Sequence, residues 1–255
     1  MTMQTILSTH GLSIRFGGLA AVQDVNLSIA RGRITGLIGP NGAGKSTLFG
    51  MLSGFLAPTQ GTVELEGRTL NGLAPHVICR LGLARTFQIV QPFAGQTVRE
   101  NIAVGAHLHV RGRNVALAQA DEVARRVGLE DQLHKSASSL TVAGRKRLEL
   151  ARALATRPRV LLLDEVLAGL NPGEIAAMIP VVRGICDDGV TVVMIEHVMQ
   201  AVMNLAQDVF VLAGGRLIAQ GSPAQVTRDP QVIEAYLGHG MAQRIGAQQE
   251  AAAHA

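Results

Sequence analysis

The hydrophobic residues of this chain follow two patterns, and each predicts a different kind of β-strand. Apolar and polar residues alternate over residues 12–16, 25–29 and 62–67, which is typical of strands with one face buried and one face in water. Residues 34–38 are short and apolar enough for a buried strand, and residues 160–163 are continuously apolar, which favours a parallel strand covered on both faces at 160–163. The sequence therefore predicts an α/β protein that combines antiparallel strands near the N-terminus with a buried parallel sheet.

The segments around these strands predict helices and one hairpin. Residues 6–38 are expected to form antiparallel strands throughout. Residues 97–134 show no strand alternation and predict a helical region, which we place in a subdomain inserted at about residues 89–157. Two apolar segments flank Gly214-Gly215 and predict a β-hairpin.

The last part of the chain predicts two short helices and a polar tail. Residues 222–225 have the spacing of a capping box with proline at the first helical position. A final helix is expected from Asp229-Pro230 through Leu237. Residues 239–255 are polar and rich in alanine, and we expect them to be disordered or a frayed helix.

Composition and charge narrow the classes of partner. The formal net charge is +4, mostly from scattered arginines, and the chain has one tyrosine, no tryptophan and six phenylalanines. This is too few aromatic residues for a base-stacking platform, so no nucleic-acid partner is expected. Two cysteines without metal or redox spacing indicate a reducing compartment. No apolar run approaches a membrane span and no signal peptide is evident, so we expect a cytosolic protein.

Residues 39–47 read Gly-Pro-Asn-Gly-Ala-Gly-Lys-Ser-Thr, which fits the phosphate-loop spacing G-x-x-x-x-G-K-[ST]. The loop follows a predicted strand and precedes a predicted helix. Glycines let backbone N–H groups approach an anion, and the new helix adds unpaired N–H groups and the positive end of its dipole. Lys45 is expected at the β- and γ-phosphates and the Ser46 hydroxyl on Mg²⁺. The candidate nucleotide-binding residues are Gly39, Asn41, Gly42, Gly44, Lys45, Ser46 and Thr47.

Two carboxylates lie directly after a continuous apolar segment. Asp164 and Glu165 directly follow residues 160–163, at the strand end where α/β sheets bind ligands. Asp164 suits a ligand of Mg²⁺. Glu165 is then placed to orient or deprotonate the water that attacks the γ-phosphate.

Two further residues have a functional and a structural interpretation. Phe16, upstream of the phosphate loop, could stack on a purine base, and His197, at the end of the apolar residues 190–195, could donate to a γ-phosphate. From spacing alone, a core phenylalanine and a structural histidine are the better explanations.

Taken in order, these features are similar to those of the ATP-binding subunits of ABC transporters. The matching elements are the adenine contact (Phe16), Walker A (39–47), the Q-loop (Gln88), the signature (140–144), Walker B (160–165), the D-loop (168–171) and the H-loop (His197). The resemblance covers about residues 5–238. It implies a P-loop NTPase fold of ABC type, with a mixed core sheet, an N-terminal antiparallel β subdomain and an inserted α-helical subdomain. It also implies that Gln88, Glu165 and His197 are catalytic and that Ser46, Gln88 and Asp164 hold Mg²⁺.

Within that superfamily the chain most resembles the ATP-binding subunits of branched-chain amino acid importers. Residues 15–19, 84–88, 168–172 and 232–238 carry this finer match. The implied function is ATP hydrolysis that drives uptake of branched-chain amino acids or related small polar solutes. The ATPases of lipopolysaccharide-export and urea-import transporters share parts of these segments and are the alternatives.

The resemblance also implies the partners of the chain. A head-to-tail dimer, with an identical or a different ATP-binding subunit, would close over two ATP molecules, each between Walker A of one subunit and the signature of the other. Membrane permease subunits would be moved by this closure, and an external solute-binding protein would act indirectly. The chain is therefore expected as a peripheral subunit on the cytoplasmic face of the inner membrane, with ATP and Mg²⁺ as ligands.

The chain departs from the family at its signature, where L-S-G-G-Q is replaced by Leu140, Thr141, Val142, Ala143 and Gly144. Thr141 keeps a hydroxyl, but the β-branched Val142 does not readily take the positive φ that glycine allows. One interpretation is a weakened site that a paired, non-identical subunit compensates. The other is that helix-start N–H groups at Ala143 and Gly144 suffice, so that Thr141, Ala143 and Gly144 contact ATP.

Two other classes of function are compatible with a phosphate loop. A regulatory subunit that binds nucleotide but scarcely hydrolyses it is supported only by the signature departure. A soluble ABC-type ATPase acting on DNA or ribosomes usually carries two cassettes or a long coiled-coil insertion, and this sequence shows neither.

Overall fold

The computed structural model describes residues 4–237. The strands in this range are β1 (Thr5–Phe16), β2 (Leu19–Ala30), β3 (Ile34–Ile38), β4 (Gln60–Leu65), β5 (Arg68–Thr69), β6 (Leu83–Arg85), β7 (Val160–Asp164), β8 (Thr191–Ile195), β9 (Asp208–Ala213) and β10 (Arg216–Gly221). The helices are α1 (Lys45–Leu52), α2 (Pro75–Arg80), α3 (Val98–Ala106), α4 (Arg113–Val127), α5 (Val142–Leu154), α6 (Pro172–Asp187), α7 (Met199–Leu205), α8 (Pro223–Val226) and α9 (Pro230–Leu237). The predicted polar tail, residues 239–255, lies outside the described residues.

The N-terminal strands form a separate antiparallel sheet with the order β2-β1-β4-β5. The alternation in β1 buries Leu12 and Ile14 and leaves Arg15 exposed, because successive side chains of a strand point to opposite faces. The predicted N-terminal antiparallel β subdomain is therefore confirmed.

The second sheet has six strands in the order β10-β9-β3-β8-β7-β6, and only β10 runs antiparallel to its neighbour. The prediction that residues 6–38 are antiparallel throughout is wrong for β3, which pairs in parallel with β8 and β9. All five residues of β3 are buried, as parallel strands covered on both faces require. The mixed core sheet expected from the resemblance is confirmed.

The order of the central strands brings three predicted motifs to one edge. β3, β8 and β7 are neighbours and run in the same direction, so their carboxyl ends lie side by side. Gly39 directly follows β3, Asp164 is the last residue of β7, and His197 lies two residues beyond β8. This is the edge at which open α/β sheets bind their ligands.

Helices pack on both faces of this sheet. On one face, α1 buries Leu48, Phe49 and Leu52 in a core shared with the antiparallel sheet. On the other face, α3, α4 and α5 pack against one another and against β7 residues such as Leu161 and Leu163. The phosphate-loop helix is thus fixed between the two sheets, and the helical group lies on the opposite side of the strand that ends in Asp164.

The C-terminal elements close the fold near the phosphate loop. The predicted hairpin is confirmed by β9 and β10, and the capping box at Ser222 begins α8. Val232 of α9 is buried in a small core with Ile38, the last residue of β3. Among residues 4–237, no helix combines the length and apolar character needed to cross a bilayer.

Candidate functional site

The loop between β3 and α1 needs glycine at two positions. Gly39 has a φ of 153° and Gly44 a φ of 102°, and a Cβ at either position would collide with a backbone carbonyl oxygen, of Leu212 and Ala21 respectively. Gly44 is also the N-cap of α1, so the first N–H groups of that helix open onto the loop. The loop therefore offers the free amides and the close backbone approach of an anion cradle.

An open groove of about 700 Å³ lies over this loop and brings most of the predicted site residues together. Its lining includes Phe16, Asn41, Gly42, Gly44, Lys45, Ser46, Thr47, Glu165 and His197. Phe16 is 49% exposed, so the competing interpretation as a core residue is wrong. The volume lies within the range of small-molecule sites, roughly 300–1,000 Å³.

The Glu165 carboxylate is held between the two other predicted catalytic residues. Gln88 Nε2 donates to Glu165 Oε2 at 2.6 Å, and His197 Nε2 lies 2.9 Å from Glu165 Oε1. The Glu165 side chain is mostly buried, whereas that of His197 is largely exposed to the groove. Three residues from distant parts of the sequence thus meet at one carboxylate.

The backbone at Glu165 is strained. Its φ is 50°, in the left-handed region, which costs a residue other than glycine about 1–3 kcal/mol and persists only where the surroundings enforce it. Two hydrogen bonds do so directly, because its N–H donates to Ile195 O at 2.9 Å and its carbonyl accepts from Lys146 Nζ at 2.9 Å. The strain aims the carboxylate into the groove.

Asp164 presents one free carboxylate oxygen. Its Oδ2 accepts from Arg85 Nη2 at 2.7 Å, whereas its Oδ1 is buried and has no hydrogen-bond partner. Asp164 shares a second cavity with Ser46 and Gln88. A carboxylate, a hydroxyl and an amide oxygen are the hard ligands that Mg²⁺ prefers, so these residues fit that ion.

Lys45 lies within electrostatic reach of both acids. Its Nζ donates to the carbonyl oxygens of Gly39 and Pro40 at 2.7 and 3.0 Å. Burial lowers the pKa of Lys45, and the negative charges of Glu165 and Asp164 oppose that shift. One cation and two carboxylates therefore converge at the base of the groove.

Four buried charged residues near the site were not singled out from the sequence. They are Arg85, Lys146, Glu149 and Glu196. Glu149 accepts the N–H of Phe87, and burial raises the pKa of its carboxyl group. For Lys146, Glu149 and Glu196, the sequence signal that could have found them is a charge among apolar neighbours, on the inner face of α5 or at the end of β8.

The signature residues lie apart from the groove. Thr141 is the N-cap of α5, and its Oγ1 accepts the Gly144 N–H at 3.2 Å. Val142 begins the helix, is 51% exposed and does not have a positive φ. Val142 therefore needs no positive φ, because the first position of a helix takes the right-handed conformation that valine accepts. This agrees with the interpretation in which the segment starts a helix.

Profiles of two protein families match this chain. The ABC transporter profile matches residues 22–168, from β2 to the segment that follows β7. A profile described as branched-chain amino acid ATP-binding cassette transporter matches residues 216–242, which begin at β10 and run beyond the described residues.

Individual relatives match over almost their whole length. The chain is 41% identical to the high-affinity branched-chain amino acid transport ATP-binding protein BraF of Pseudomonas aeruginosa, covering 91% of this chain and 98% of that protein. It is 40% identical to the corresponding protein LivG of Escherichia coli, covering 92% and 98%.

Solved structures show the same architecture. An ATP-binding cassette of an ABC transporter in its ADP conformation is 30% identical, with a TM-score of 0.84 and coverage of 92% of this chain and 100% of that one. The protein cbiO1 of Clostridium perfringens, part of an ABC transporter complex, is 28% identical, with a TM-score of 0.81 and coverage of 96% and 99%. The chain therefore belongs to the ABC transporter family, as one of its nucleotide-binding, ATP-hydrolysing subunits.

Proposed function

We propose that this chain is the ATPase subunit of an importer for branched-chain amino acids. The relatives named for that transport and the C-terminal profile support the substrate class. The observation that carries the enzymatic part is the Glu165 carboxylate, held by Gln88 and His197 at the edge of the phosphate-loop groove. We propose that residues 5–238 form the ATP-binding domain and that a helical subdomain is inserted in it at about residues 89–157.

In this proposal the groove binds ATP along its length. The adenine ring stacks on Phe16, and the phosphates lie on the N–H groups of the loop and of the α1 N-terminus. Lys45 Nζ leaves its carbonyl partners to reach the β- and γ-phosphates. Mg²⁺, held by Ser46, Gln88 and Asp164, would neutralise charge that develops on the β- and γ-oxygens.

Hydrolysis then depends on what the chain does to one water molecule. Glu165 accepts a hydrogen bond from that water, orients it toward the γ-phosphorus and takes its proton as the new P–O bond forms. The bond from the γ-phosphorus to the bridging oxygen breaks at the same time, and ADP leaves. Gln88 keeps the carboxylate in place, and the His197 ring, which lies beside it, donates its N–H to the γ-phosphate. The strained backbone at Glu165 preserves this orientation without rearrangement during the reaction.

A second ATP-binding subunit would complete the site. ATP-binding subunits of this family dimerise and act with membrane permeases. We propose that the α5 N-terminus, with Thr141, Ala143 and Gly144, faces the γ-phosphate bound to that second subunit. The N–H groups at the start of a helix can bind an anion even though position 142 is valine rather than glycine. This favours a signature that supports ATP hydrolysis over a purely regulatory subunit.

An exposed apolar patch gives the permease a docking place. We define the docking patch as Phe55, Phe87, Ile89, Phe93 and Val104, all of which are more than 40% exposed. Large exposed apolar surfaces of this kind mark interaction sites. Docking there would hold the chain on the cytoplasmic face of the membrane, with an external solute-binding protein acting through the permease.

The test uses the Glu165→Gln variant assembled with its permeases. Glutamine preserves the shape and the contact with Gln88 but cannot accept a proton, so kcat for ATP hydrolysis should fall about 100-fold or more. Binding of ATP should persist, and the dimer should stay closed. Glu122→Gln, on the exposed surface of α4, is the matched control.

The same assembly tests the substrate class. In vesicles that carry the permeases and the binding protein, ATP should drive uptake of leucine, isoleucine and valine. Uptake of urea alone, or export of a lipopolysaccharide, would favour one of the alternative transporters. An unmodified complex that hydrolyses ATP no faster than the Glu165→Gln complex would contradict the proposed mechanism and favour a regulatory subunit.

A further inference from the structure

The turn that follows β7 is held by side chains from two remote segments. Beyond the N–H of Glu165, which bonds to β8, two polar groups of the turn are taken up by side chains. Lys146 Nζ donates to the Glu165 carbonyl at 2.9 Å, and the Leu167 N–H donates to Glu196 Oε1 at 2.9 Å. These two contacts fix the carbonyl of the residue with the left-handed backbone and the N–H two residues beyond it.

Lys146 joins three of the family's motifs at one ammonium group. It lies on α5, the helix that begins with the signature, and only 7% of the residue is exposed. Besides the Glu165 carbonyl, its Nζ donates to the Gln88 carbonyl at 3.0 Å. A buried lysine is retained only where its charge is compensated and its donors are satisfied. Here both carbonyl partners belong to residues that meet at the hydrolytic carboxylate.

Glu196 approaches the same turn from the end of the neighbouring parallel strand. It follows β8, directly precedes His197, and is 2% exposed. Burial raises the pKa of Glu196 to about 7, and the Leu167 N–H and the charge of Lys146 oppose that shift. A carboxyl oxygen accepts the Leu167 N–H in either protonation state. The contact can therefore form whether or not Glu196 is charged.

We propose that Lys146 and Glu196 are positioning residues, which together hold the turn of residues 165–167 so that the Glu165 carboxylate stays between Gln88 and His197. The proposal rests on the proposed function, because it gives Glu165 the hydrolytic role. Neither residue lines the nucleotide groove, and each acts through the backbone of the turn.

Lys146 also connects the signature helix to the catalytic site of the same subunit. Its side chain extends from α5 and donates to the carbonyl groups of Gln88 and Glu165. A shift of α5 that keeps these bonds would move both carbonyl groups with it.

The test compares conservative and disruptive variants in the full complex. Glu196→Gln keeps an oxygen for the Leu167 N–H and Lys146→Arg keeps a cationic donor, whereas Glu196→Ala and Lys146→Met remove the contacts. The disruptive variants should lower kcat about tenfold or more, as expected when a reacting group is misplaced, and change KM for ATP less than about twofold. The conservative variants should keep most of kcat, as should the exposed control Glu122→Ala.

A measurement of the turn itself separates this proposal from the catalytic one. Hydrogen exchange of a peptide that covers residues 164–170 should accelerate in the disruptive variants only, with exchange in β1 unchanged. Equal kcat in Glu196→Ala and Glu196→Gln, or unchanged exchange, would overturn the proposal. A parallel loss of ATP binding in all four variants would assign the pair to overall folding and would also overturn it. An active Glu165→Gln subunit would remove the hydrolytic role of Glu165, whereas the exchange data would still decide whether the pair holds the turn.

Discussion

Glu196 carries its carboxyl group where water does not reach, and that has a consequence for stability. Its pKa rises from 4.5 to about 7 on folding, first because burial disfavours the charged form and also because the Glu165 charge is near. Between these two values the folded chain binds more protons at this site than the unfolded chain. The free energy of unfolding therefore falls as pH rises through this window, by about 3 kcal/mol in total from this group.

The Glu196→Gln variant isolates that effect. Because glutamine does not titrate, the variant should gain stability relative to the unmodified chain as pH rises from 4.5 to 8, and the difference should level off above pH 7. Urea unfolding of both proteins at each pH measures it. The raised pKa of Glu149 acts with the same sign in both proteins and cancels. If the difference in free energy of unfolding between the two proteins stayed constant over the whole pH range, burial would not raise the pKa of Glu196.

At the scale of single elements, the start of α5 bears on the two interpretations of the signature departure. Val142 would need a glycine-like backbone only if the segment were a loop. In the structure it is a helix start, and Thr141 caps it by accepting the Gly144 N–H. The side chain at position 142 then points outward without penalty, because the helix supplies the N–H groups that the glycines of the family pattern would expose.

Removing the cap of α5 should weaken the helix measurably. Thr141→Ala leaves the Gly144 N–H without its side-chain acceptor and should lower the free energy of unfolding by about 1 kcal/mol. Thr141→Ser retains the hydroxyl and should restore most of that loss. Urea denaturation of the three proteins measures the differences. Equal stability of the alanine and serine variants would show that the hydrogen bond contributes nothing to α5.

Elements with a local signature could be predicted from the sequence, and contacts between remote segments could not. The phosphate loop, the hairpin at Gly214-Gly215 and the capped start of α8 all depend on residues within a few positions of one another. Lys146 instead contacts Gln88 and Glu165, which lie 58 and 19 positions away, and Arg85 contacts Asp164 at a separation of 79. Such pairs depend on the order of strands in the sheet, which alternation of apolar residues does not specify.

At the scale of the whole molecule, the nucleotide groove and the docking patch are joined by one side chain. The Arg85 guanidinium lies 5.3 Å from the ring centroid of Phe87 in the patch, and its Nη2 bonds to Asp164 at 2.7 Å. Phe87 also packs edge-on against Phe55 at 5.4 Å. A permease that displaces these rings therefore acts on an arginine that orients a proposed Mg²⁺ ligand. The proposed permease contact at Phe87 is thus connected to Asp164 through Arg85 alone.

The docking patch can be tested at its outer edge, where a substitution leaves the groove intact. Phe55 is 53% exposed and does not line the groove, so Phe55→Ser should leave the affinity for ATP unchanged. Buried aromatic anchors often contribute 2 kcal/mol or more to an interface, so the variant should bind the permeases about 30-fold more weakly. Val115→Ser is the matched control, because Val115 is 51% exposed on α4 and is not one of the patch residues. Co-purification of the subunit with its permeases from detergent measures the effect, and equal recovery of both variants would place the permease contact elsewhere on the surface.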